Sequence, residues 1–439
     1  MKLRAWFLRL AFLLGLAMLL EGSGIAASVN PPALTQHRKA RGVTENQHAK
    51  KRMRTLARSR APRSRYASTR SSAAHFSGTR SAGTRYSSTR SSGTLYSRSS
   101  SRHRYYERFH TSSFASDITE GDVTAGEDPV VRQAAIDALG NMNGTVVAIE
   151  PTSGRILAMV NQRLALSSGA QPCSTIKLSV ALAALSEGVI DEDTEVSLGS
   201  RSRMNLTEAL AHSNNAYFEA VGRKLGFEKV QYYAHQFGLG ELAGYHIPGE
   251  QLGTYPEVEI PAKLGGVSKM CSFGEGISMT PLQLGAMVTA ISNGGTLYYL
   301  QHPTSPEAVA NFQPRVKRHL DIEPVIPELS DGMAGAVAYG TARSVRLNFN
   351  EESILGKTGT CSHAGTRFGW FASYANTDVG RIVTVVFLQG GRPTFGPKAA
   401  EIAGRMYRNL YDHNFFVAGA TGITPTEPVQ KASSVSTRQ

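Results

Sequence analysis

Ser174-Thr175-Ile176-Lys177 sets a hydroxyl and an amine three residues apart at the head of an Ala/Leu-rich run that ends at Leu185. On a helix, positions i and i+3 share a face, so the Lys177 amine can approach the Ser174 hydroxyl. A serine hydroxyl is a weak nucleophile and needs an adjacent base. An amine serves as that base only when uncharged. Burial, the positive end of the helix dipole and a second nearby cation each disfavour its charged form. N–H groups exposed in the first turn can also stabilise an oxyanion. The chemistry indicated is serine acyl transfer. Taken alone, the same four residues also describe an ordinary helix start with a serine cap.

Two further clusters fit that chemistry. In Ser213-Asn214-Asn215, Ser213 can relay a proton between Lys177 and a leaving amine, and Asn215 can hold a substrate amide with its donor and its acceptor. In Lys357-Thr358-Gly359-Thr360, Gly359 strips side-chain bulk from one strand face so that a substrate backbone can lie close. Lys357 supplies positive charge for a carboxylate and disfavours charge on Lys177. Thr358 and Thr360 supply hydroxyls, and the Thr360 N–H is a candidate second oxyanion donor. Gly356-Lys357-Thr358 also resembles the end of a phosphate loop, but the glycine required five residues earlier is Glu351, which excludes it.

These clusters need a rigid frame. Gly144–Glu150 and Arg155–Val160 read as strands joined by the turn Pro151-Thr-Ser-Gly154. Ser174–Leu185 and Thr207–Leu225 read as helices. Thr280-Pro281 opens a third helix that Asn293-Gly294-Gly295 ends, and Pro327 precedes a fourth, through about Val337. Strands follow at Ile354–Thr360, Phe368–Tyr374 and Ile382–Leu388, then a closing helix, Ala399–Tyr411. Strands at both ends with helices between imply an α+β fold: an antiparallel sheet flanked by helices, with a mostly helical subdomain.

The formal charge of +13 is unevenly spread. Residues 30–110 carry +17 and the first 29 carry +2, which leaves −6 for 111–439. The basic character therefore belongs to one segment. Residues 1–29 read as an export signal or uncleaved anchor: Lys2, Arg4 and Arg9, then the apolar run Leu10–Leu20, then small residues. The rest of the chain is then expected outside the cytoplasm. Residues 30–115 are rich in Ser, Arg, Thr and Gly and too poor in aliphatics to repay ordering, so a disordered basic linker is expected there. Its charge suits anionic lipid headgroups or wall polymers. Its interleaved aromatics would also suit nucleic acid, which export argues against. Order is expected over 125–412, and residues 418–439 read as a flexible tail. Three cysteines at 173, 271 and 361 rule out a disulfide scaffold, and no metal site or cofactor site is indicated.

In the order Ser-x-x-Lys, Ser-x-Asn, Lys-Thr-Gly, the chain resembles the transpeptidase domain of the penicillin-binding proteins, a superfamily shared with β-lactamases. Gly144–Asn161, Gly169–Leu185, Leu206–Phe218, Gly274–Gly295, Gly340-Thr341-Ala342 and Gly356–Thr360 are similar to successive family segments. The resemblance implies a β-lactamase/transpeptidase-like fold and a serine D,D-transpeptidase acting on peptidoglycan stem peptides through an acyl-enzyme at Ser174. It implies Lys177 as general base, Ser213 and Asn215 in proton shuttling and substrate binding, and Lys357, Thr358 and Thr360 holding a carboxylate. β-Lactam antibiotics would acylate the same serine. A D,D-carboxypeptidase, a class D-like β-lactamase, and a non-enzymatic β-lactam sensor or wall-binding protein are the rival readings; Asn215 argues against class D, which resembles Ser-x-Val there.

The pattern is broken in places. Pro172-Cys173 stands where the family usually includes a glycine, and Cys361 follows the third motif. Both cysteines are expected to be small buried hydrophobes, with a regulatory bond between them as the alternative. The 39-residue step from Ser174 to Ser213 is short and implies a trimmed helical subdomain. His212 and His363 lie beside motifs but are not needed by a Ser/Lys mechanism.

Overall fold

A computed structural model describes residues 108–199, 202–376 and 381–416. The expected signal or anchor (1–29), most of the basic linker and the tail (418–439) lie outside the described residues.

Asp128 caps the first helix, α1 (Pro129–Leu139), accepting from the amides of Val130 and Val131, with Pro129 in the first turn. The hairpin follows as expected: β1 (Gly144–Glu150) pairs antiparallel with β2 (Arg155–Val160). Gly154 closes the turn at a φ of +75°, and a Cβ there would meet Tyr298 Cβ at 2.6 Å. Then come α2 (Lys177–Ser186), α3 (Leu206–Ala211), α4 (Asn215–Leu225), α5 (Phe227–Gln236), α6 (Gly266–Phe273), α7 (Pro281–Ser292) and α8 (Ile326–Ala338). The chain then returns to the sheet as β3 (Ile354–His363), β4 (Thr366–Asn376) and β5 (Arg381–Gly390), and ends in α9 (Gly396–Asp412).

The strand order is β2-β1-β5-β4-β3, with every neighbour antiparallel, so β3 forms one edge. Helices cover both faces, which is why β1 and β5 are almost continuously apolar. The period of two divides their side chains between two cores. Val146, Ala148, Phe371 and Val386 pack with Val131 and Ala135 of α1 and Ile402 and Met406 of α9. Val147, Ile149, Trp370 and Val385 pack with Leu178 and Leu182 of α2 and Leu284 and Val288 of α7. Helix α7 is buried along its whole length and opens on a capping box between Thr280 and Gln283. The α+β expectation holds: a helix-flanked antiparallel sheet, with a mostly helical stretch of sequence between β2 and β3.

Two boundaries depart from expectation. Thr207–Leu225 is two helices, broken at His212-Ser213-Asn214, where Ser213 takes a left-handed φ of +54°. The end of the segment read as linker is tied to the folded body: the His110 amide donates to Gly365 O at 2.9 Å, and the Gly391 amide donates to Ser113 Oγ at 2.7 Å. Backbone and hydroxyl partners, not aliphatic burial, hold residues 108–115, so composition misses them.

Candidate active site

The chain enters the site through Pro172 and Cys173, whose φ of +52° is left-handed. Such a conformation costs a non-glycine residue roughly 1–3 kcal/mol and needs neighbours that enforce it. A short 3-10 turn, Cys173–Ile176, leads into α2. Thr175 donates to Pro172 O from its amide at 3.1 Å and from its hydroxyl at 2.7 Å. Ser174 thus sits in a turn pinned from both sides, with Lys177 one turn on.

Lys177 is fully buried. Its Nζ lies 2.8 Å from Ser213 O, 2.6 Å from Asn215 Oδ1, 3.1 Å from Ser174 Oγ and 3.2 Å from Ser213 Oγ. Burial, and then the charge of Lys357, push its pKa down to about 6, against a weak opposite pull from Glu219. A neutral amine has two N–H donors and one lone pair. Ser213 O and Asn215 Oδ1 can only accept, so they take both donors. The lone pair is left for a hydroxyl proton, which is what a base for Ser174 requires.

Ser213 is placed by the break between α3 and α4. Its amide donates to Leu210 O at 3.1 Å, and Asn214 caps α4 by accepting from the Tyr217 amide. The left-handed residue between them turns its hydroxyl inward. Asn215 reaches the site with its oxygen engaged by Lys177, which leaves its amide nitrogen for a ligand; the expectation that both ends hold substrate is corrected.

Strand β3 carries the third cluster. Lys357 is fully buried, with Nζ 2.9 Å from both Ser213 Oγ and Thr358 O, and burial lowers its pKa to about 7. It lies behind Ser213, so a direct role in meeting a carboxylate does not fit its placement. A Cβ on Gly359 would meet Pro172 O at 2.9 Å and Thr175 Cγ2 at 3.2 Å. The backbone that needs this glycine is therefore the chain's own Ser174 turn, not a substrate's. Thr358 donates to Thr341 Oγ1 at 2.7 Å, and Thr360 Oγ1 accepts from the Gly396 amide at 2.7 Å.

All eight expected residues meet around the Ser174 turn. Cys173 and Cys361 form a disulfide, Cα–Cα 5.6 Å apart, which corrects their expected role as small hydrophobes. Cys271 alone is a free, buried thiol. His212 pairs with Glu208 at 3.3 Å, half-exposed, in keeping with its expected solvated role.

The cleft over Ser174 has a volume of about 320 Å³ and is lined also by Thr341, Arg367, Phe395 and Pro397, which motif reading missed. Arg367 stacks on Phe395, 5.9 Å from guanidinium carbon to ring centroid. Its signal was readable in principle: a tight hairpin at His363–Thr366 pairs Arg367 with Ser362, on the same strand face as Thr358 and Thr360. Thr341 and Pro397 also line an adjoining groove of about 800 Å³ with Tyr339, Arg343 and Arg346.

Residues 144–411 match the family model described as the penicillin binding protein transpeptidase domain. The chain is 27% identical to stage V sporulation protein D of Bacillus subtilis over 315 residues, covering 60% of this chain and 48% of that protein. It is 26% identical to the peptidoglycan D,D-transpeptidase MrdA of Acinetobacter baumannii over 364 residues, covering 65% and 53%. The chain thus spans about half the length of these curated relatives. A peptidoglycan glycosyltransferase structure from Burkholderia ambifaria superposes with a TM-score of 0.55 at 19% identity, covering 70% of this chain and 100% of that one. The D,D-transpeptidase domain of a peptidoglycan glycosyltransferase from Eggerthella lenta does so at 0.52 and 20%, covering 65% and 81%.

Proposed function

Because this chain belongs to the penicillin-binding protein transpeptidase family, we propose that it is a serine D,D-transpeptidase of peptidoglycan stem peptides, working outside the cytoplasm. The observation that carries the reading is the buried Lys177 amine, 3.1 Å from Ser174 Oγ and with its pKa lowered to about 6.

In this reading Ser174 Oγ attacks the carbonyl of a D-alanyl-D-alanine amide as its proton passes to Lys177. The oxyanion forms between the amides of Ser174 and Thr360. Collapse expels the terminal D-alanine, whose amine takes the proton from Lys177 through Ser213. The amine of a neighbouring stem then attacks the acyl-enzyme and gives its proton to Lys177, which passes it to Ser174 Oγ as the ester bond breaks. A β-lactam acylates the same oxygen. Lys357 keeps charge off Lys177 and orients Ser213. The Thr360 hydroxyl, and the Thr358 hydroxyl once turned from Thr341, bind the substrate carboxylate, with Arg367 as the cation facing the cleft. The adjoining groove gives room to the rest of the donor stem. The basic segment 30–107 is proposed to hold the enzyme near anionic lipid or wall polymer.

Labelling of the full chain with a fluorescent penicillin tests this. A stable adduct that Ser174→Ala abolishes is expected, and unlabelled parent protein would overturn the reading. With a stem peptide and an amine acceptor, cross-linked product is expected over hydrolysis. Hydrolysis alone would mean a carboxypeptidase, and rapid turnover of penicillin a β-lactamase.

A further inference from the structure

The disulfide joins the residue immediately before Ser174 to the residue immediately after Thr360, across 188 positions of sequence. Of the two amides assigned above to the oxyanion, that of Ser174 is bonded directly to the Cys173 carbonyl, and that of Thr360 lies one residue before Cys361. Around the bond the nucleophile turn and β3 are in close contact, with no room for a Cβ on Gly359 against Pro172 O. Trp370 Nε1 donates to Gln171 O at 3.0 Å from the neighbouring strand. Cys173 is fully buried and holds a left-handed backbone that glycine would adopt without penalty. Nothing in its own side chain favours that conformation, so an outside constraint must hold it, and the bond to Cys361 is one.

We infer that the Cys173–Cys361 disulfide is a positioning clamp that fixes the Ser174 and Thr360 amides relative to each other for oxyanion binding. The inference rests on the acyl-transfer reading. It adds that two residues which touch no substrate set the rate of acylation. Loss of the bond leaves residue 173 free to relax from φ +52° and lets β3 shift against the turn. The oxyanion is bound less well, while ground-state binding along the cleft is kept.

Two variants of the full chain test the clamp: Cys173→Ala/Cys361→Ala, which removes the bond, and Cys173→Gly/Cys361→Ala, which removes it but supplies a residue at ease in left-handed backbone. Saturation kinetics with a penicillin separate the acylation rate constant from the noncovalent Kd. Hydrogen exchange is followed at the amides of 173–176 and 358–362. For the alanine pair, the acylation rate constant is expected to fall about 10²-fold, the size of a misplaced oxyanion donor, with Kd little changed. Exchange should quicken in both segments and not elsewhere. The glycine variant should regain part of the lost rate and slow exchange at 173–176, but not at 358–362. An unchanged rate constant, a loss confined to Kd, or unchanged exchange overturns the clamp. Should the alanine pair fail to fold, the glycine variant against the parent decides by the same measures. A parent that no penicillin acylates would defeat the functional reading, and exchange would still judge the clamp.

Discussion

Lys177 and Lys357 converge on one hydroxyl: their Nζ atoms lie 3.2 and 2.9 Å from Ser213 Oγ. Two buried amines so placed cannot both carry charge cheaply, and each is pushed below the ordinary lysine value of 10.5, to about 6 and about 7. The hydroxyl between them links the amine beside Ser174 to the strand that carries the third motif.

The first prediction concerns the pH profile of acylation. The base works when neutral, so the rate constant with a penicillin should rise as pH passes upward through about 6. Lys357 is the second cause of that low value. In Lys357→Met the rising limb should therefore move to higher pH. A limb that stays in place, measured by stopped-flow acylation, would contradict this coupling.

Stability should follow the same group. The folded-state pKa of Lys177, about 6, lies below the 10.5 of an exposed lysine. Between those values the unfolded chain binds the extra proton, so the stability contribution rises with pH across that window. In Lys177→Met the rise of unfolding free energy from pH 6 to 9 should be shallower than in the parent, Lys357 accounting for what remains. Urea titrations at a series of pH values would show it.

Arg367 carries a prediction about recognition. Removing a charged hydrogen-bond partner costs about 1.5–3 kcal/mol, so Arg367→Ala should weaken penicillin binding by roughly 10- to 100-fold. The same variant should show little loss against a penicillin whose carboxylate is esterified. An equal loss for acid and ester would mean that Arg367 acts on cleft shape through Phe395.

Gly359→Ala tests the packing of β3 on the nucleophile turn. The added methyl falls 2.9 Å from Pro172 O, a backbone atom that cannot rotate away. The turn must move, with an expected loss of about 10²-fold in acylation and about 1–3 kcal/mol in stability. Crystallography of the variant, with thermal melts, would read both; near-parental values for each would show that the contact is slack.

Much of this site is legible in sequence because its parts are local. The i, i+3 spacing of Ser174 and Lys177 needs only a helical turn, and a turn is there. The hairpin at Pro151–Gly154 and the box at Thr280–Gln283 likewise depend on neighbours within four residues. The helix break at Ser213 is harder to read, since nothing in Ala211–Asn215 forbids a continuous helix by composition. The chain breaks there because Asn214 starts a new helix as its cap and the turned hydroxyl finds two lysines. That compensation comes from segments 36 and 144 residues away.

Sequence alone determined the order of the motifs and the class of fold, and brought the Ser174 hydroxyl and the Lys177 amine together, because side-chain chemistry and the periods of helix and strand are short-range properties. Tertiary structure decided that Lys357 is buried behind Ser213, that Gly359 accommodates the nucleophile turn, that Arg367 faces the cleft, and that Cys173 meets Cys361. Each of these is a distance between segments far apart in the chain. Such distances follow from how an edge strand packs against a helix start, and no spacing along the chain encodes that.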